Sequence, residues 1–152
     1  LTARDTSYYS RDGRYWSPDR YFKGGRTVTR TGLAGADDPG LYHNERFGNF
    51  SYAIPAPPGR YTVILRFAER YYGPTNEGGG GVQSRVFNVS CNGQILLKNF
   101  DVFQEAGGEN RALVKTFRGL ETSVQGKLLL EFMPVKDFAL LNAIEVIDEA
   151  KR

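Results

Sequence analysis

From residue 50 onward, apolar residues recur at every second position in short runs divided by turn signals. These runs are "FSYAI" before "PAPPG", "YTVILRFA", "RVFNVS" before Asn92-Gly93, "ILLKNFDVF", "ALVKTF", "KLLLEFM" and "NAIEVI". A period of two puts alternate side chains on one face of a strand, so the pattern predicts half-buried antiparallel strands. Seven such strands at this spacing make a sandwich or a barrel. In "YTVILRFA" the residues Tyr61, Val63, Leu65 and Phe67 share one face, while Thr62 and Arg66 point the other way. Phe50, Tyr52 and Ile54 repeat the pattern. Asn92-Gly93 between "FNVSC" and "QILL" predicts a type I′ hairpin, because both residues tolerate positive φ. The stretch "DVFQEAGGENRAL" holds no more than a turn of helix near Gln104, which Gly107-Gly108 would stop.

A chain of 152 residues buries one sizeable core, so residues 1–152 are expected to form a single domain. Residues 1–49 differ in texture from the rest, being rich in Arg, Asp, Gly, Tyr and Trp with weak alternation. They read as long loops with one or two short strands, forming a binding rim or a cover over the sheet. No apolar run approaches the roughly 18 residues that cross a bilayer, and "LTARDTSYYS" is neither a signal peptide nor a targeting helix. A start at Leu1 without an initiator methionine suggests an excised or processed piece of a longer protein.

Several chemistries are excluded or disfavoured. The lone cysteine, Cys91, allows neither an internal disulfide nor a thiolate cluster. The lone histidine, His43, rules out a two- or three-histidine metal site; between Tyr42 and Asn44 a surface role is plainer than that of a catalytic base. Between Leu1 and Arg30, seven basic residues interleave with six aromatics, a pattern that suits single-stranded nucleic acid. Asp5, Asp12 and Asp19 partly neutralise that cluster, and no nucleic-acid motif accompanies it. The glycines of "EGGGGVQSRVF" lead into a strand instead of opening a helix, so they form no phosphate cradle and read as a flexible excursion at one end of the sandwich. No cofactor is indicated. Asn49-Phe50-Ser51 and Asn88-Val89-Ser90 match the glycosylation triplet but lie in or beside predicted strands. Glu45, Glu69 and Asp137 are the carboxylates to weigh for acid–base work. Glu69 at a strand end and Glu45 beside Arg46 suit a structural ion pair or a hydrogen bond to loop backbone better, and no nucleophile elbow or His–Asp partnership points to an enzyme.

The aromatics remain. Tyr42, Tyr71 and Tyr72 lie in predicted loops or at strand ends, and each combines a flat apolar face with a hydroxyl. Sugars present the complementary mixture, a C–H face that stacks on rings and a rim of hydroxyls. At strand periodicity Tyr71 and Tyr72 point to opposite sides, which leaves at least one of them facing a ligand.

Four blocks carry a family resemblance: "WSPDRYFKGG" (16–25), "DDPGLYHNERFGNFSYAIPAPPGRYTVILRFAERYY" (37–72), "RVFNVSCNGQILLKNFDVFQEAGG" (85–108) and the closing "NAIEVID" (142–148). Together they resemble the malectin-like carbohydrate-binding modules. The resemblance implies an all-β antiparallel sandwich of jelly-roll type with long aromatic-rich loops, which binds glucose-containing oligo- or polysaccharides without catalysis. It implies carbohydrate-binding roles for Tyr42, Tyr71, Tyr72 and Asp137, and for Tyr21 in the N-terminal loop. It also implies an extracellular or periplasmic module of a larger secreted or membrane-anchored protein, with a saccharide and flanking domains as partners and neither nucleic acid nor membrane insertion. Two features depart from the family pattern. The opening strand is truncated or absent, and "GPTNEGGGGVQS" lengthens the loop beside Tyr72. The competing expectation is a structural or protein-interaction module on the same sandwich that binds no sugar.

Overall fold

The computed structural model describes residues 1–33 and 35–151. The strands are β1 (Tyr8–Tyr9), β2 (Tyr15–Trp16), β3 (Phe22–Thr29), β4 (Asn44–Pro55), β5 (Arg60–Phe67), β6 (Val86–Cys91), β7 (Gln94–Phe100), β8 (Leu113–Glu121), β9 (Lys127–Lys136), β10 (Ala139–Leu141) and β11 (Ala143–Asp148). All pairings are antiparallel. One sheet runs β3-β4-β9-β6-β7, and the other is β11-β5-β8. β10 succeeds β9 along β4, pairing with Arg46 to Gly48 where β9 pairs with Phe50 to Pro55. A small β1-β2 ribbon lies in the N-terminal segment.

The period-two runs become these strands for the reason the pattern implies. Phe50, Tyr52 and Ile54 of β4, Val63, Leu65 and Phe67 of β5, Phe87 and Val89 of β6, and Leu128, Leu130 and Phe132 of β9 form one buried cluster. Phe50 and Phe132, cross-strand partners in the register, stack with centroids 4.7 Å apart. Asn92 and Gly93 both take positive φ (48° and 83°) between the paired Cys91 and Gln94. The "ILLKNFDVF" strand stops at Phe100, and the short helix α1 (Val102–Ala106) follows. Asp101 caps it by accepting from the Gln104 N–H, and Gly107 ends it in the left-handed region.

The first 49 residues hold more strand than expected, because β3 is eight residues long and β4 begins at Asn44. β3 is an edge strand exposed on nearly all its length, so its sequence carries no alternation. Gly24 and Gly25 (φ 81° and 74°) sit at an irregularity in its pairing; a Cβ on Gly24 would come within 2.6 Å of the Asn49 carbonyl oxygen. Between Phe47 and Phe50, β4 takes three steps where β3 takes two, from Arg26 to Gly24. The extra residue is a bulge, and past it Glu45 and Phe47 border a cavity at the end of the sandwich, with Phe47 packed against the core cluster.

The N-terminal segment is tied to this sheet through Asp19, on the side that carries Tyr52. Its carboxylate accepts from Arg46 Nη2 at 2.7 Å and Nε at 3.1 Å, and from the Tyr52 hydroxyl at 2.7 Å. The Arg46 guanidinium also lies 3.7 Å from the centre of the Phe22 ring. Removing the carboxylate would leave Arg46 and the Tyr52 hydroxyl buried without it. Asp19→Ala is accordingly expected to cost about 3–5 kcal/mol of folding free energy, and Asp19→Asn less, as read from urea unfolding midpoints.

Candidate functional site

Strand β5 ends at Phe67 and is followed by two buried residues, Ala68 and Glu69. Glu69 organises the turn that follows. Its Oε2 accepts from the backbone N–H groups of Tyr71 and Tyr72 at 3.1 and 3.2 Å, and its Oε1 accepts from Arg85 Nε at 2.7 Å. Both structural readings of this carboxylate hold, the ion pair and the bond to loop backbone. Arg85, itself buried, also donates through Nη1 to the Phe138 carbonyl at 2.8 Å. One ion pair thus joins the end of β5, the entry to β6 and the connection between β9 and β10.

Tyr71 and Tyr72 meet edge to face with ring centroids 4.9 Å apart, and both are half-buried. The Tyr72 hydroxyl donates to the Asp137 carboxylate, which sits at positive φ (59°) in the β9–β10 connection. That bond, with burial adding to it, pushes the Tyr72 pKa up to about 12. Arg30 and Arg85 approach the two rings, at 5.8 Å from the centroid of Tyr71 and 5.4 Å from that of Tyr72. Phe47 and Phe138 meet with centroids 6.0 Å apart. Together with Glu45 these residues line an open cavity of about 260 Å³ at the end of the sandwich.

The glycine-rich loop is tied down, not a free excursion. The Gly73 N–H donates to the Gly79 carbonyl at 2.7 Å, and the Gly78 N–H to the Tyr71 carbonyl at 2.8 Å. The Asn76 side chain donates to the Tyr72 carbonyl at 3.0 Å, and the Thr75 N–H to Glu109 at 3.1 Å. A Cβ on Gly78 would lie 2.5 Å from the Tyr71 ring, so the loop backbone packs directly on that tyrosine.

Of the five residues singled out from sequence, Tyr71, Tyr72 and Asp137 come together here and the other two do not. Tyr42 ends a short 3-10 turn (Pro39–Tyr42) and is only 4% exposed, packed in a second apolar cluster with Trp16, Leu33, Leu41, Ala68 and Ala143. Burial raises its pKa while the neighbouring Arg66 guanidinium lowers it, and it borders a different cavity. Tyr21 is exposed beneath Arg20, and its carbonyl accepts from the Ala53 N–H. Ala53 is six residues along β4 from Phe47, about 20 Å at strand rise. The residues that sequence reasoning did not assign to the site are Arg30, Phe47, Arg85 and Phe138, while Glu45 was weighed only as an acid. The available signal was the i, i+2 spacing of Glu45 and Phe47, which puts both on one face of a strand.

Glu45 is 4% exposed, and its Oε1 accepts from Arg30 Nη1 at 3.3 Å. It does not pair with Arg46, because neighbours on a strand point to opposite faces and Arg46 is held by Asp19. Burial pushes the Glu45 carboxyl up to about 7, with Glu69 adding to the rise and Arg85, Arg30 and Arg70 opposing it. Among the described residues, no group of three His, Cys, Asp or Glu could hold a metal ion. No helix among them is long and apolar enough to cross a membrane.

A family model described as the malectin domain matches residues 2–144. Human malectin is 31% identical over 110 residues, a match covering 64% of this chain and 35% of that protein. A kinesin-like protein of Oryza sativa subsp. japonica, KIN-14E, is 35% identical over 113 residues, covering 67% of this chain and 10% of that protein. The solved structure of the plant receptor-like kinase ANX2 superposes with a TM-score of 0.78 at 25% identity, covering 97% of this chain and 40% of that one. The match therefore spans about a third of malectin's length and a tenth of the kinesin-like protein's.

The raised carboxyl of Glu45 has a stability signature. Its folded pKa, about 7, lies above the usual 4.5, so the folded state holds a proton that the unfolded chain releases between those values. The stability this contributes is complete below about pH 4.5 and is lost as pH rises through 7. Glu45→Gln is expected to be more stable than the parent at pH 8, by up to roughly 3 kcal/mol, with the gap closing toward pH 5. Paired thermal melts across that range measure it.

Proposed function

Because the chain belongs to the malectin domain family, we propose that it is a non-catalytic carbohydrate-binding module whose end cavity holds a short glucose-containing saccharide. The observation that carries this reading is the convergence of an edge-to-face tyrosine pair and a carboxylate on one open cavity. Phe47, Phe138 and the exposed portions of Tyr71 and Tyr72 provide apolar surface for the C–H face of a pyranose ring. Asp137 and Arg30 provide an acceptor and a donor for its hydroxyls. The cavity is at the small end for ligand sites, which favours a few sugar units over a long extended chain. Stacking of a hydrated ligand in an open site leaves only a few kcal/mol after ordering costs, so dissociation constants fall in the micromolar to millimolar range.

The carboxylates support the non-catalytic part of the reading. Glu69 is occupied by Arg85 and two backbone N–H groups, and Asp137 by the Tyr72 hydroxyl. The family's named relatives include malectins, a receptor-like protein and kinesin-like proteins, which suits an accessory module whose compartment follows its parent. For this chain we favour an extracellular or periplasmic parent.

Titration of short α- and β-linked gluco-oligosaccharides tests the proposal. Tyr72→Ala and Asp137→Asn are expected to weaken binding, the former by about 1–3 kcal/mol, with the fold retained. Tyr21→Ala is expected to leave binding unchanged. Tyr42→Ala is expected to cost about 3–5 kcal/mol of stability while the folded fraction binds normally, because its ring is core. Binding of a neutral sugar should also change little with salt, since no counterions are released. Failure of every gluco-oligosaccharide to bind, with tight association to a flanking domain, would favour an interaction module instead.

A further inference from the structure

Glu45 is the least engaged acid at the cavity. Glu69 and Asp137 accept from protein donors as described, whereas Glu45 has one long bond from Arg30, through Oε1. Its Oε2 has no hydrogen-bond partner among the described residues. An ionised carboxylate offers about four acceptor positions, so most of its capacity is unused. It is nevertheless buried, and it lines a cavity open to solvent. A poorly satisfied buried carboxylate costs stability, and a strained group of this kind in a cleft points to a role in binding.

We propose that Glu45 is a ligand-binding residue of this cavity, accepting hydrogen bonds from saccharide hydroxyls in its ionised form, so that acidification below neutral pH releases the sugar. This inference rests on the carbohydrate reading above. Paired hydroxyls of a pyranose would satisfy the oxygen that the protein leaves unpaired, and hydroxyl donors strengthen when the acceptor carries charge. Protonation removes that charge and turns one oxygen from an acceptor into a donor, so it weakens the contact that Glu45 makes.

The surroundings assign the titration to Glu45. Arg30 faces it from beyond β3, Arg85 from the entry to β6, Glu69 and Arg70 from the end of β5, and Asp137 from the β9–β10 connection. Tyr72 stays protonated, with its pKa pushed up to about 12. His43, one residue before β4, is pushed below 6.5 by burial and by Arg4 and Arg70, so it charges only in more acid solution. Glu45, at about 7, is the site group whose charge changes on either side of neutrality.

Calorimetric titration of the chain with short gluco-oligosaccharides at pH 6 and pH 8 decides the matter. If only the ionised form binds, the competent fraction changes from about one-tenth to nine-tenths over that interval, and the dissociation constant is expected to improve about ten-fold. Glu45→Gln is expected to bind weakly and equally at both values. Wild-type binding at pH 7 should release a fraction of a proton, seen as heats that vary with the ionisation enthalpy of the buffer; this readout needs no variant. Wild-type affinity independent of pH, with Tyr72→Ala still weakening binding, would overturn the role of Glu45 while leaving the carbohydrate site standing. A Glu45→Gln profile that follows the wild type would do the same. Absence of binding at both values would overturn the carbohydrate reading and this inference with it.

Discussion

The buried pair between Glu69 and Arg85 is the interaction on which the cavity end of the sandwich depends. Three chain segments with no sequence proximity meet there: the turn after β5, the entry to β6, and the connection between β9 and β10. Glu69 fixes the backbone of both tyrosines, and Arg85 fixes the backbone at Phe138, beside Asp137. The bond from Tyr72 to Asp137 is a consequence of those two anchors. A buried ion pair is seldom a net gain over apolar packing, but loss of either partner strands a charge, so the pair constrains geometry more than it adds stability.

The core and the cavity meet along β4, where the pairing with β3 is interrupted between Phe47 and Phe50. Beyond that bulge, neighbouring residues have separate roles. Arg46 shares the Asp19 carboxylate with Tyr52 and lies over Phe22, while Glu45 and Phe47 border the cavity. This stretch of β4 therefore anchors the N-terminal segment and furnishes the cavity with its least satisfied carboxylate.

What the sequence makes legible follows the strength of each local signal. The alternating runs all give strands, the run 95–103 only as far as Phe100; the Asn92-Gly93 turn has both residues at positive φ, and the helical turn stops at Gly107. β3 escapes notice because an exposed edge strand with two glycines imposes no alternation, and β10 because "ALL" is three apolar residues buried on both faces. At the site, Tyr71, Tyr72 and Asp137 could be proposed through family resemblance, but Tyr42 could not be separated from them. Its surroundings depend on Trp16, Leu33 and Ala143, which are distant in sequence. Arg30 and Arg85 carry no local signal, since their roles come from register and from partners across the fold.

The central claim is that the cavity bordered by Tyr71, Tyr72 and Asp137 holds a saccharide. Backbone amide chemical-shift mapping during titration with a short gluco-oligosaccharide tests it most directly. The account predicts saturable shifts concentrated at 45–47, 69–72 and 137–138, with Tyr21 and Tyr42 unmoved. Shifts centred on the separate cavity beside Tyr42 and Arg66, or none at saturating sugar, would contradict it.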